Sequence, residues 1–250
     1  MEKGSGKYIC FCPSGFTGAF CEKVCKKVER KIDMVFVIDG SLSLWTNPVT
    51  CAKPVSQSFE QEKNFVDEVV EPLKLGKDQS RVSVIQFATE AREEISFDQS
   101  AQLGKAKFMA KVKEIQWSGG LEFRKCDAPH VGRLTATPLA MKKAKEIFEK
   151  FGRMKDASVL KFVFIITDGE ITVPRSGGGD EALALAQALN KMGVTTYSIG
   201  VGTASNKAAM KADLLKIAAG REDHRFMVAK FSDLKDKVLG MIQNTLNCNV

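Results

Sequence analysis

The chain has 250 residues, 44% of them apolar and 27% charged, and its 37 Lys and Arg against 30 Asp and Glu give a net charge of +7. That length suits one well-buried domain plus an appendage, and no apolar stretch nears the roughly 20 residues that span a bilayer. The basic stretches "EKVCKKVERK" and "MKKAKEIFEKFGRMK" carry interleaved Glu, so they read as solvated faces, with attraction to acidic glycans open through the same field. Nucleic acid is excluded as a partner, since no aromatic residues interleave the basic ones and no binding motif is present.

"MEKGSGKYIC" has no apolar h-region, so no signal peptide is read here. This allows a cytosolic protein or a piece of a longer secreted one. The seven cysteines arbitrate: they stand at 10, 12, 21, 25, 51, 126 and 248. Three fall in "CFCPSGFTGAFC", which suits a small disulfide-held loop. A zinc knuckle competes, but no His lies nearby and C-x-C is not a usual zinc pair. From about Tyr8 to Glu22 the segment resembles the last third of an epidermal-growth-factor-like (EGF-like) module. That resemblance implies that Cys12 pairs with Cys21 and leaves Cys10 without a partner. The odd count is then explained if the chain starts inside a module, which points to an extracellular multidomain protein. The expected division is 1–24 for the module remnant and 25–250 for a larger domain.

From Ile32 onward strands and helices alternate. "MVFVID" is a continuous apolar run suited to a strand covered on both faces. "FEQEKNFVDEVVEPL" sets Phe59, Phe65, Val66, Val69 and Val70 on one helical face, and Pro72 stops it. "RVSVIQFA" and the short "EEISF" are strands too close for a crossover, so they should pair antiparallel at an edge. Helical spacing recurs in "LGKAKFMAKVKEI", and "PLAMKKAKEIFEKF" starts a clear helix with Pro138 in its first turn. "KFVFIITD" is a second doubly buried strand; "SGGG" at Ser176–Gly179 reads as a flexible loop. Then come the helix "DEALALAQALNKMG", the strand "VTTYSIGVG", and "KADLLKIAAG", "HRFMVAKF" and "SDLKDKVLGMIQNTL" as helix, strand and helix. The expected fold is doubly wound, Rossmann-like α/β. Its six-stranded sheet is mostly parallel, with one antiparallel edge strand and helices on both faces.

In such sheets ligands bind beyond the carboxyl ends of the strands. Asp39 stands there in "DGSLS", and Asp168 ends another buried strand in "TDGE". Between them "LTAT" places Thr135 just before a helix. Asp39, Ser41, Ser43, Thr135 and Asp168 are all hard oxygen donors, which selects Mg²⁺, or Mn²⁺, over zinc. The plainer alternative makes the serines helix caps and Asp168 a turn residue.

With these motifs the chain resembles a von Willebrand factor type A domain from about Lys31 to Thr245. The resemblance maps that family's metal-ion-dependent adhesion site onto Asp39, Ser41, Ser43, Thr135 and Asp168. It implies hydroxyls on the metal, one or both aspartates acting through water, and a carboxylate from the partner. Glu170 would hold a coordinated water. "WTNPVTCAKPVSQS" and "WSGGLEFRKCDAPHVGR" lengthen two rim loops beyond the common pattern, so ligand identity does not carry over. Trp45 and Trp117 flank the site loops and read first as rim packing; His130 and His224 read as surface or packing residues.

The function expected is a non-enzymatic, Mg²⁺-dependent adhesion module at the cell surface or outside the cell. Its partner would be a protein or glycan supplying an acidic group. The rival is a phosphoryl-transfer enzyme of haloacid-dehalogenase type, which needs a carboxylate where Ser41 stands. An intracellular scaffold of the same fold is the third reading, opposed by the cysteines. Cys25 and Cys248 flank the domain's two ends and are expected to pair; Cys51 and Cys126, in loops at one sheet end, form the other expected pair.

Overall fold

Strands apolar at every position need cover on both faces. The computed structural model of the chain describes residues 16–17, 23–24, 31–41, 57–117, 134–168, 170–174, 176–201 and 207–228. Near the amino terminus β1 (Phe16–Thr17) pairs antiparallel with β2 (Lys23–Val24). The large domain follows as β3 (Lys31–Asp39), α1 (Gln57–Val70), β4 (Arg81–Phe87), β5 (Ala91–Ile95), α2 (Phe97–Glu114) and α3 (Thr137–Phe151). It continues through β6 (Val159–Thr167), α4 (Gly178–Lys191), β7 (Thr195–Val201), α5 (Lys207–Ile217) and β8 (Arg225–Val228).

The six-stranded sheet has the order β5-β4-β3-β6-β7-β8. Only β4 and β5 pair antiparallel; the other four pairings are parallel, as the short connection after β4 requires. Alternate residues of each strand feed two separate cores. Met34, Phe36, Ile38, Val84, Phe164 and Ile166 pack under α1 and α2. Val35, Val37, Ile85, Phe87, Val163 and Ile165 pack under α3, α4 and α5. Phe59, Phe65, Val66, Val69 and Val70 all fall in the first core.

Three expectations need correction. The edge strand lies two residues earlier than "EEISF": β5 runs Ala91–Ile95, because Ser96 caps the next helix in a capping box with Gln99. For the same reason α2 starts at Phe97 rather than Leu103, with its helical geometry interrupted at Gly104 (φ 68°, ψ 172°). "SGGG" is no flexible loop either, since Gly178 and Gly179 open α4. A Cβ on Gly178 would stand 2.7 Å from Ile171 Cγ2, so this end of α4 must be bare to pack under the loop after β6. "SDLKDKVLGMIQNTL" lies outside the described residues.

At the amino end of β3 the fully buried Asp33 carboxylate takes both guanidinium groups of Arg81 and Arg153, at 2.7–3.0 Å, and the Arg153 N–H at 2.8 Å. Those bonds hold its carboxyl below the usual range despite burial. His224 is buried as a packing residue, its ring 4.4 Å from that of Tyr197.

Candidate metal centre

β3 and β6 adjoin where the strand order reverses, so the carboxyl ends of these two strands face the crevice in which open α/β sheets bind ligands. Val37 pairs with Ile165. Two residues further along the same face, the Thr167 hydroxyl donates to Asp39 Oδ2 at 2.6 Å. Asp39 Oδ1 accepts the Ser41 N–H at 2.7 Å, which folds DGS into a tight turn. Gly40 donates its N–H to the Phe87 carbonyl at 2.6 Å. A Cβ on Gly40 would stand 3.1 Å from the Gln86 side chain and 3.3 Å from that carbonyl oxygen, so this turn's approach to β4 disfavours any side chain.

Thr135 comes to the same end of the sheet by hydrogen bonds on two sides, to backbone and to threonine hydroxyls. Its neighbours face β4: the Leu134 N–H donates to Thr89 Oγ1 at 3.1 Å and the Ala136 N–H to the Ala88 carbonyl at 2.8 Å. Thr135 itself faces the loop after β6, exchanging hydrogen bonds with Thr172. The loops that carry Asp39, Thr135 and Asp168 are thus held together by β4 and by Thr172.

Glu62 is the residue that sequence reading missed. It lies on the apolar face of α1, three residues after Phe59 and four before Val66, and is fully buried. Its Oε2 accepts the Asp39 N–H at 2.8 Å, while Oε1 has no hydrogen-bond partner among the described residues. A carboxylate at an apolar helix position was the signal in the sequence; nothing short of the fold says that it meets Asp39. Thr167 was likewise unmarked, and only strand register reveals its bond to Asp39.

The electrostatics follow from this crowding. Burial first, and the Asp168 carboxylate second, push the Asp39 carboxyl up to about 7, against the hydrogen bonds from Thr167 and Ser41. Burial, then Asp39 and Asp168, hold Glu62 well above the usual range. Neither Asp39 nor Glu62 has a Lys or Arg partner among the described residues. Carboxylates pressed together in a low dielectric favour either a proton or a cation. Among the described residues no three His, Cys, Asp or Glu side chains gather closely enough to hold an ion by themselves. A cation here would therefore depend on hydroxyls as well, which is the mixed oxygen set of a hard ion. The residues fit such an ion.

Of the donors named from the sequence, Asp39, Ser41, Thr135 and Asp168 are described; Asp39, Ser41 and Thr135 are buried and Asp168 is half-buried. Glu170 is half-buried two residues beyond Asp168. Ser43 lies outside the described residues, as do Trp45, His130 and Cys12, Cys21, Cys25, Cys51, Cys126 and Cys248. Trp117 packs against the α1–α2 core, which is the rim-packing role expected.

An open sheet wound both ways, with aspartates at the carboxyl ends of the strands beside its switch point, defines the class. The chain belongs to the von Willebrand factor type A domain family, whose model matches residues 33–239. Among its relatives are the collagen alpha-4(VI) chain of Mus musculus, 28% identical over 99% of this chain and 9% of that one, and matrilin-1 of Homo sapiens, 29% identical over 78% and 32%. The transmembrane cell adhesion receptor mua-3 of Caenorhabditis elegans is 27% identical over 94% of this chain and 6% of its own length. The chain therefore spans a third or less of these relatives. Among solved structures, proximal thread matrix protein 1 from the mussel byssus matches with a TM-score of 0.63 at 24% identity, over 90% of this chain and 49% of that one. A second structure of that protein, with a zinc-occupied MIDAS motif, matches at 25% identity and the same TM-score. With collagen, matrilin and adhesion-receptor chains as relatives, the protein is extracellular or displayed at the cell surface. No helix among the described residues is long and apolar enough to cross a membrane.

Proposed function

We propose that the large domain is a non-enzymatic adhesion module that binds an acidic group of an extracellular protein or glycan through Mg²⁺, or Mn²⁺, at the carboxyl end of the sheet. The observation that carries this reading is the convergence of Asp39, Thr135 and Asp168 at the switch point, with buried carboxyl groups held above their usual range. Asp39, Ser41, Ser43, Thr135 and Asp168 would hold the ion, and Glu170 a water beside it. When bound, the cation supplies a positive centre that two carboxylates, one or both at second hand, leave under-neutralised, so that it attracts an outside anion. The protein's own part is orientation. Asp39 Oδ1 and Oδ2 are already engaged by Ser41 and Thr167, which suits an aspartate acting through water. The zinc-occupied motif of the mussel protein supports a divalent site here. Residues 1–24 are the end of an EGF-like module in this reading, and the whole is part of a longer multidomain chain.

A phosphoryl-transfer enzyme would need a second carboxylate at position 41, where a buried serine stands. The test is Asp39→Ala against wild type, by calorimetric Mg²⁺ titration and by melting in EDTA. Mg²⁺ affinity should be lost while the EDTA melt survives, because the sheet is held by its two apolar cores. Full affinity in the variant would sink the reading.

A further inference from the structure

The loop after β6 meets Thr135 through two backbone N–H groups and one side chain. Thr172 Oγ1 accepts the Thr135 N–H at 2.8 Å, and the Thr172 N–H donates to the Thr135 carbonyl at 3.0 Å. Val173 donates its N–H to the same carbonyl at 3.3 Å. Behind this loop Asp213 of α5 accepts the Ile171 N–H on Oδ2 at 3.1 Å, so the loop is gripped from two sides. Thr172 is itself exposed, and packing does not account for it.

We propose that Thr172 is a positioning residue of the metal centre: its hydroxyl sets the spacing between the Thr135 and Asp168 loops, and thereby the affinity for the cation. The inference rests on the metal reading given under Proposed function. Its logic is that of outer-shell partners, which orient a ligand they do not replace and on which metal affinity depends. The two bonds to the Thr135 carbonyl come from backbone N–H groups and survive substitution with any residue other than proline. Of the three bonds that Thr172 and Val173 make to Thr135, the hydroxyl's is the one that a side-chain change removes. Valine keeps the shape and branching of threonine but offers no acceptor, so the Thr135 N–H loses its partner.

Wild type, Thr172→Val, Thr172→Ser and Asp39→Ala are compared by calorimetric titration with Mg²⁺ alone and by melting in EDTA. Thr172→Val should bind Mg²⁺ about tenfold or more weakly, with an EDTA melt lowered by no more than the one hydrogen bond it removes, about 2–4 °C. Thr172→Ser, which restores the acceptor, should recover the affinity. Wild-type affinity in Thr172→Val overturns the proposal, and so does a loss that Thr172→Ser shares. An EDTA melt lowered well beyond that, and not recovered in Thr172→Ser, would make Thr172 structural and overturn it too. Asp39→Ala separates the two claims. Should it keep full Mg²⁺ affinity, the metal reading falls; should it lose affinity while Thr172→Val keeps it, only the positioning role falls.

Discussion

Asp39 and Glu62 are buried carboxyl groups that the fold would rather keep protonated, and this has a sign. A carboxyl raised in the folded state binds protons there that the unfolded chain has already released. For Asp39 the window runs from its ordinary 3.8 to about 7, and Glu62 shifts in the same direction. In EDTA, stability should therefore fall as pH rises through that window, with a higher melting temperature at pH 5.5 than at pH 7.5. Saturating Mg²⁺ at pH 7.5 should close the gap, since a ion that binds only the native state stabilises it by mass action. A flat EDTA profile would count against the burial of these charges. Glu62→Gln keeps an acceptor for the Asp39 N–H and removes one charge. Its EDTA stability should rise by about 1 kcal/mol, or about 2–4 °C for a domain of this size.

Among the elements, β3 does two jobs at its two ends. Its carboxyl end presents Asp39 to the crevice; its amino end buries Asp33 between Arg81 and Arg153, which also tie down the turn after α3 through the Arg153 N–H. The Asp33 carboxyl is lowered, so it stabilises the fold above its ordinary value and stops doing so in acid, outside the window that Asp39 governs. Asp33→Ala would leave two guanidinium groups without their buried counter-charge, at a cost of about 3–5 kcal/mol. Urea denaturation should show that loss, while Mg²⁺ titration of the surviving folded protein should match wild type. A coupled loss of Mg²⁺ affinity would mean that the two ends of the strand are not independent. α1 links to the rim in a similar structural way. Lys63 Nζ donates to the carbonyls of Lys113 and Ile115, 3.0 and 3.1 Å away, at the end of α2 where the second extended loop begins.

At the scale of the molecule, cross-links between distant cysteines are expected to tie the chain together. The cysteines all lie outside the described residues, so the pairings Cys12–Cys21, Cys25–Cys248 and Cys51–Cys126 stand as predictions. A bridge from 25 to 248 would restrict the unfolded chain over a very long loop, contributing about 5 kcal/mol on the entropic model. Peptide mapping without reduction should recover these three pairs and a free Cys10; any other pairing refutes the assignment. Cys25→Ser with Cys248→Ser should melt at a lower temperature without loss of Mg²⁺ affinity, because neither thiol is among the donors proposed for the ion.

As far as the described residues go, the order of elements, the doubly wound class, the antiparallel edge and the aspartates at strand ends were all legible in the residues. The reason is that two-faced burial leaves a continuous apolar run, and amphipathic burial a helical period, in the sequence itself. Local turn chemistry was legible too, but outweighed in the reading: Ser96 and Gln99 announce a helix start that the apolar pattern of "EEISF" concealed. What only the tertiary structure decided is which side chains meet across strands. Thr167 reaches Asp39 because β3 and β6 pair in one register, Glu62 because α1 lies over the end of β3, and Thr172 because two loops from separate crossovers converge. Each of these contacts joins residues 23 or more apart in the chain, and no local period or propensity encodes a partner at that distance.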